Sequence, residues 1–208
     1  MGASMKSKYQ IFIFLITIFL FLNIYINSSA ASNDYFYNEA KILEKNGLLK
    51  GDNNGDLLLG DELNKQDIII LISRLLNEEP SEKNLSDKIV FKDVQKDAYY
   101  TPYIIWAVNK GIAQGISQDE FGIDKKITVK ELETILLRIL GYTEEAKKWN
   151  LIENLSKSLG IRDHLDFNTN RPILRGEMSR MIINTLLVQK KGSTLKLKDI
   201  LNIDIEEE

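Results

Sequence analysis

Three short segments gather the residues best placed for chemistry: Leu63-Asn64-Lys65-Gln66-Asp67, Ile127-Thr128-Val129-Lys130-Glu131 and Ile173-Leu174-Arg175-Gly176-Glu177. Thr128 followed by Glu131 predicts a helix capping box, in which the hydroxyl accepts from the third helical N–H and the carboxylate reaches back. Asn64 with Asp67 is a copy of that box. Leu174 has no side-chain acceptor, which leaves Glu177 only its charge near the positive helix end. Lys65 and Arg175 fit capping less well, because a cation in a first turn opposes the helix dipole. Two partners would resolve the conflict. One is a carboxylate or phosphate held by the cation and exposed helix N–H groups. The other is a neighbouring Asp or Glu.

Other candidates carry weaker chemistry. Trp106, with Tyr99, Tyr100 and Tyr103 beside it, reads either as core filler or as a ring lying under a sugar face at a groove edge. Asp52, Asn54 and Asp56 match the start of a calcium loop, but Leu57 and Leu63 stand where such a loop needs its turn Gly and its bidentate acid. Asn53-Asn54-Gly55 therefore reads as a turn, and no metal is expected. The single His164 lies in Arg162-Asp163-His164-Leu165-Asp166 with no motif that would make it a base, and there is no Cys. Neither an enzyme nor a cofactor is expected.

The elements that must position these residues repeat. Apolar positions at Ile68, Leu71, Ile72, Leu75 and Leu76 recur 64 residues on at Leu132, Ile135, Leu136, Ile139 and Leu140. A further 46 residues on they recur as Met178, Met181, Ile182, Thr185 and Leu186, and Arg74, Arg138 and Asn184 share one polar position within the stripe. That spacing predicts three amphipathic helices. Each follows an earlier helical stretch closed by Gly47, Gly111 or Gly160, as C-terminal glycines close helices. The third intervening loop is three residues shorter than the other two. Units this small cannot bury an apolar face alone, so the three must share one core.

The chain has 208 residues, 27 Lys plus Arg, 30 Asp plus Glu and 44% apolar residues, which excludes collagen, disulfide scaffolds and wholly disordered chains. The net charge of −3 argues against a nonspecific grip on duplex DNA. Lys6 and Lys8 precede an apolar run from Ile11 to Leu22, and Ser28-Ser29-Ala30-Ala31 follow, the order of a secretory signal peptide cleaved after Ala30 or Ala31. Membrane contact is expected only if that segment stays uncleaved. A polar linker runs from Asn77 to Lys88, and a short apolar element through Leu195, Leu197 and Ile200 precedes an acidic end.

Together with Phe91-Lys92-Asp93-Val94, Trp106-Ala107-Val108-Asn109-Lys110-Gly111-Ile112 and the Gly115 to Phe121 loop, the three segments resemble the S-layer homology family, whose hallmark is an Ile-Thr-Arg-Ala-Glu-like signature opening the second helix of each repeat. The signature Arg survives as Arg175, is Lys65 in the first repeat and is lost to Val129 in the second. The resemblance implies an all-α fold of three helix-loop-helix repeats in a pseudo-threefold spindle. Behind a signal peptide at 1–31, the repeats fall at 32–78, 89–143 and 144–190, with a tail at 191–208. It implies an exported module that binds anionic, often pyruvylated, secondary cell-wall polysaccharide in grooves between repeats. Carried over by position, the binding residues are Lys65, Asp67, Trp106, Gly115, Thr128, Glu131, Arg175 and Glu177. The alternative is an envelope protein that keeps the fold and serves protein contacts.

Overall fold

The computed structural model describes residues 36–80 and 91–205. The expected signal segment, most of the polar linker and the acidic end lie outside them. Seven α-helices are described: α1 (Tyr37–Lys45), α2 (Lys65–Leu75), α3 (Thr101–Asn109), α4 (Val129–Ile139), α5 (Ile152–Ser158), α6 (Arg175–Leu187) and α7 (Leu197–Leu201). Among the described residues there is no strand, and extended pairing is confined to isolated bridges. The fold is all-α. Gly47, Gly111 and Gly160 follow α1, α3 and α5 at φ of 71°, 67° and 78°, the left-handed conformation that ends a helix at least cost in glycine.

The three long helices bury the predicted stripes. Ile68, Ile72, Leu132, Leu136, Met178 and Ile182 are all wholly inaccessible and belong to one core. Each such side chain contributes roughly 1.5–3 kcal/mol relative to exposure. The principal helix pairs cross the predicted repeat boundaries: α1 packs on α6, α3 on α2 and α5 on α4. The predicted C-terminal element forms α7 and buries Leu197, while Leu195 and Ile200 stay exposed.

The backbone just ahead of α2, α4 and α6 is joined in a cycle. Glu62 pairs with Leu174, Lys126 with Asn64 and Pro172 with Thr128. The first N–H of each helix donates into the neighbouring segment: Lys65 to Lys125 O at 3.0 Å, Val129 to Arg171 O at 3.1 Å and Arg175 to Asp61 O at 2.8 Å. These are donors that a helix start leaves without an internal partner.

Candidate functional site

The cyclic bonds correct one expectation. The first N–H of each helix faces a neighbouring carbonyl, so it takes no part in the exposed anion cradle expected beside Lys65 and Arg175. Capping also differs among the three starts. Thr128 and Glu131 form the predicted box, with Glu131 N–H to Thr128 Oγ1 at 3.2 Å and Thr128 N–H to the carboxylate at 2.9 Å. Asn64 makes no side-chain cap, contrary to its reading as a copy of that box. Asp67 instead lines a groove with its carboxyl above the ordinary range, because burial outweighs the opposing charges of Lys126 and Arg175. Glu177 does more than lend its charge. It accepts the Leu174 N–H at 3.0 Å and both Nη groups of Arg171, a residue that sequence reasoning passed over.

Lys65 and Arg175 share one arrangement, and it is neither of the two expected. Lys65 reaches from α2 into the loop after α3, where Nζ donates to Gln114 O at 2.8 Å and Phe121 O at 3.1 Å. Arg175 reaches from α6 into the loop after α1, where Nε donates to Leu57 O at 2.8 Å and Nη2 to Lys50 O. Lys50 and Leu57 stand 64 residues before Gln114 and Phe121, so the two cations hold matching carbonyls of matching loops. These partners are neutral. Burial holds the Lys65 ammonium below its ordinary pKa, opposed by Glu131 and Asp93, and lowers Arg175 against the pull of Asp61 and Asp67.

Beside each tether lies an open groove. One, of about 450 Å³, is lined by Lys65, Gly115, Glu131, Arg138 and Trp149. The other, of about 460 Å³, is lined by Lys50, Asp67, Arg74, Tyr99, Tyr103 and Arg175. The grooves share a composition: the tethering cation, the first-turn acid, an arginine two turns along and an aromatic rim. Arg138 donates to Ile112 O at 3.0 Å, and burial lowers its pKa too. Trp149 is 52% exposed with Lys130 Nζ 4.8 Å from its ring centre, and Tyr99 is 68% exposed. Flat exposed rings beside cations suit a ligand with a sugar face and an anionic group.

The expected residues do not all converge. Lys65, Gly115 and Glu131 line the first groove and Asp67 and Arg175 the second. Thr128 stays at the cap. Trp106 is on the rim of neither: it packs against the core and donates from Nε1 to Glu78 at 3.1 Å. Trp149 is the aromatic residue that lines the first groove. Gly115 is required for space, since a Cβ there would lie 2.4 Å from the Phe91 ring and 2.6 Å from Glu120 O. Asp93, within the Phe91-Lys92-Asp93-Val94 motif, uses its carboxylate to accept the N–H groups of Phe121, Gly122 and Ile123 at 2.7–2.9 Å. Burial pushes its pKa up, and those three bonds bring it below the ordinary value. The Asn53-Asn54-Gly55 turn closes on Asp52, whose carboxylate accepts the Asn54 and Asp56 N–H groups at 2.9 Å.

Residues 90–128 match the S-layer homology domain. Over 149 residues, 71% of this chain, the sequence is 24% identical to the middle cell wall protein of Brevibacillus brevis (strain 47), and it spans 14% of that protein's length. Among the described residues no helix is long and apolar enough to cross a membrane.

Proposed function

We propose that this chain is a wall-associated, cell-surface module that holds an anionic secondary cell-wall polysaccharide noncovalently in the grooves beside Lys65 and Arg175. The observation that carries this reading is the repeated groove composition, with Lys65 and Arg138 beside Trp149 in one and Arg175 and Arg74 beside Tyr99 and Tyr103 in the other. A carboxylate such as a pyruvate ketal would pair with the cations while the sugar ring lies on the aromatic face. A ligand anion would also offset the burial that lowers Lys65, Arg138 and Arg175. Because the protein is itself net negative, affinity comes from these short-range donors rather than long-range attraction. The three units at 32–78, 89–143 and 144–190 and their pseudo-threefold arrangement belong to this proposal, supported by the cyclic pairing ahead of α2, α4 and α6. The module holds rather than converts its ligand.

Sedimentation of the purified protein with purified walls tests the reading, before and after chemical removal of the secondary polymer. Removal is expected to abolish co-sedimentation. Trp149→Ala is expected to weaken it about three- to tenfold, the equivalent of a stacking contact of roughly 0.5–1.5 kcal/mol. Equal binding to stripped walls overturns the polysaccharide as ligand.

A further inference from the structure

The third junction, where the start of α4 meets the loop after α5, is built differently. At the other two, the carbonyls of Leu57 and Phe121 accept from Arg175 at 2.8 Å and Lys65 at 3.1 Å. The corresponding helix position here is Val129, which has no donor. The carbonyl of Phe167 is nevertheless held, at 2.7 Å, by Nη2 of Arg162. Arg162 stands two residues after Gly160, as Leu49 and Ala113 stand two after Gly47 and Gly111. Those two are buried apolar residues, and Arg162, 4% exposed, is buried like them. The cation has moved from the helix start to the loop.

Its surroundings differ in kind from those of Lys65 and Arg175. Arg162 Nη1 donates to Glu153 at 2.9 Å, and Nε lies 3.5 Å from Glu133, a wholly buried acid on α4. Arg180 and Glu39 stand 46 residues after Thr134 and 64 before Tyr103, which line the two open grooves, and they meet each other at 2.7 Å, while Arg171 meets Glu177. Asn184 takes the position of Arg74 and Arg138 and donates to the carbonyls of Ile161 and Asp163. Asp163 takes the position of Lys50 and Gln114. Each guanidinium at this junction meets a carboxylate, whereas Lys65, Arg138 and Arg175 donate to neutral carbonyls and Arg74 faces only the exposed Glu79, at 3.6 Å. Charge that is already matched by a buried partner is not available to an incoming anion.

We infer that Arg162 has taken over the joint made elsewhere by the cation at the helix start, and that this junction is a self-neutralised structural joint, leaving two anion-binding grooves rather than three among the described residues. The inference rests on the grooves being anion sites. Titration of isotope-labelled protein with a methyl hexopyranoside bearing a 4,6-pyruvate ketal, followed by NMR, tests both together. Shifts are expected at the Trp149 indole and at Tyr99 and Tyr103, with a stoichiometry of two and none at Asp163, Arg171 or Asn184. A third set of shifts at those residues overturns the two-site count and leaves the groove reading standing. Absence of shifts at all three places overturns both.

A second measurement isolates the transfer of the cation. Arg162→Ser strands Glu133 and the Phe167 carbonyl, and is expected to lower Tm by about 10 °C, as loss of one partner of a buried pair does in a chain of this size. Adding Val129→Arg to that variant is expected to recover several degrees by returning a donor from the helix side. A double variant no more stable than Arg162→Ser overturns the equivalence.

Discussion

Replacing Lys65 with Met keeps the unbranched stem and removes the ammonium, so it isolates the tether between α2 and the loop after α3. Two carbonyls lose their donor, Gln114 O at 2.8 Å and Phe121 O at 3.1 Å, and a cation leaves its position 4.6 Å from the Phe121 ring centre. A buried acceptor left unpaired costs about 1–3 kcal/mol, and a cation over a ring contributes roughly 0.5–2 kcal/mol. Against these stands relief of the ammonium's own desolvation, which is of the order of several kcal/mol for a buried ion. Lys65 is only 6% exposed, so that relief is substantial. The net loss is about 2–3 kcal/mol, which in a chain of this size lowers Tm by about 5–10 °C. Thermal unfolding followed by circular dichroism reads it directly, with Lys65→Arg as the control that retains a donor and most of the stability. A Lys65→Met protein melting within about 2 °C of the parent refutes the tether as a source of stability.

Gly115→Ala places a methyl group against the Phe91 ring and two carbonyls, and is expected to cost about 1–3 kcal/mol, read as a lowered urea midpoint. Burial pushes the Glu133 carboxyl up to about 7 despite Arg162, from an ordinary 4.5. Between those values the folded state binds more protons than the unfolded one, so stability falls as pH rises through the window, by at most about 3 kcal/mol. Glu133→Gln should flatten that slope, and urea midpoints that rise over the same window would contradict it. Deleting residues 150–208 removes the partners of α1 and α4, so the remnant is expected to lack the parent's cooperative melt.

Helices were legible because they are written locally. The apolar stripes at Ile68, Leu132 and Met178 and the glycines after α1, α3 and α5 fix where helices run and stop. Which helix packs on which was not legible, since α1 and α6 meet through residues far apart in sequence. The capping box at Thr128 was legible from two residue types at one spacing. Lys65 and Arg175 were recognised as anomalous in a first turn, but the resolution lay in carbonyls of another loop, and backbone carbonyls leave no mark in a sequence. Arg162 escaped notice for a related reason. Its significance comes from the missing donor at Val129, and the two positions are joined only by the fold. Trp106 stands out in the sequence because it lies in a recognisable motif, whereas Trp149, just past the 3₁₀ turn Glu145–Lys147, lies in none.

The pairing of α1 with α6 has a consequence for the order in which the molecule can assemble. A chain emerging from its N-terminus presents α1 early, and α1 has no principal partner until Arg175–Leu187 has followed. Asn46, just after α1, waits longer still for its 2.7 Å bond to the Asp204 carbonyl. Closure over so long a separation slows folding, because its entropy is lost before the distant contact forms. The α2–α3 and α4–α5 pairs can therefore form on an incomplete chain, while the α1–α6 pair, which brings the first and last long-range partners together, closes last.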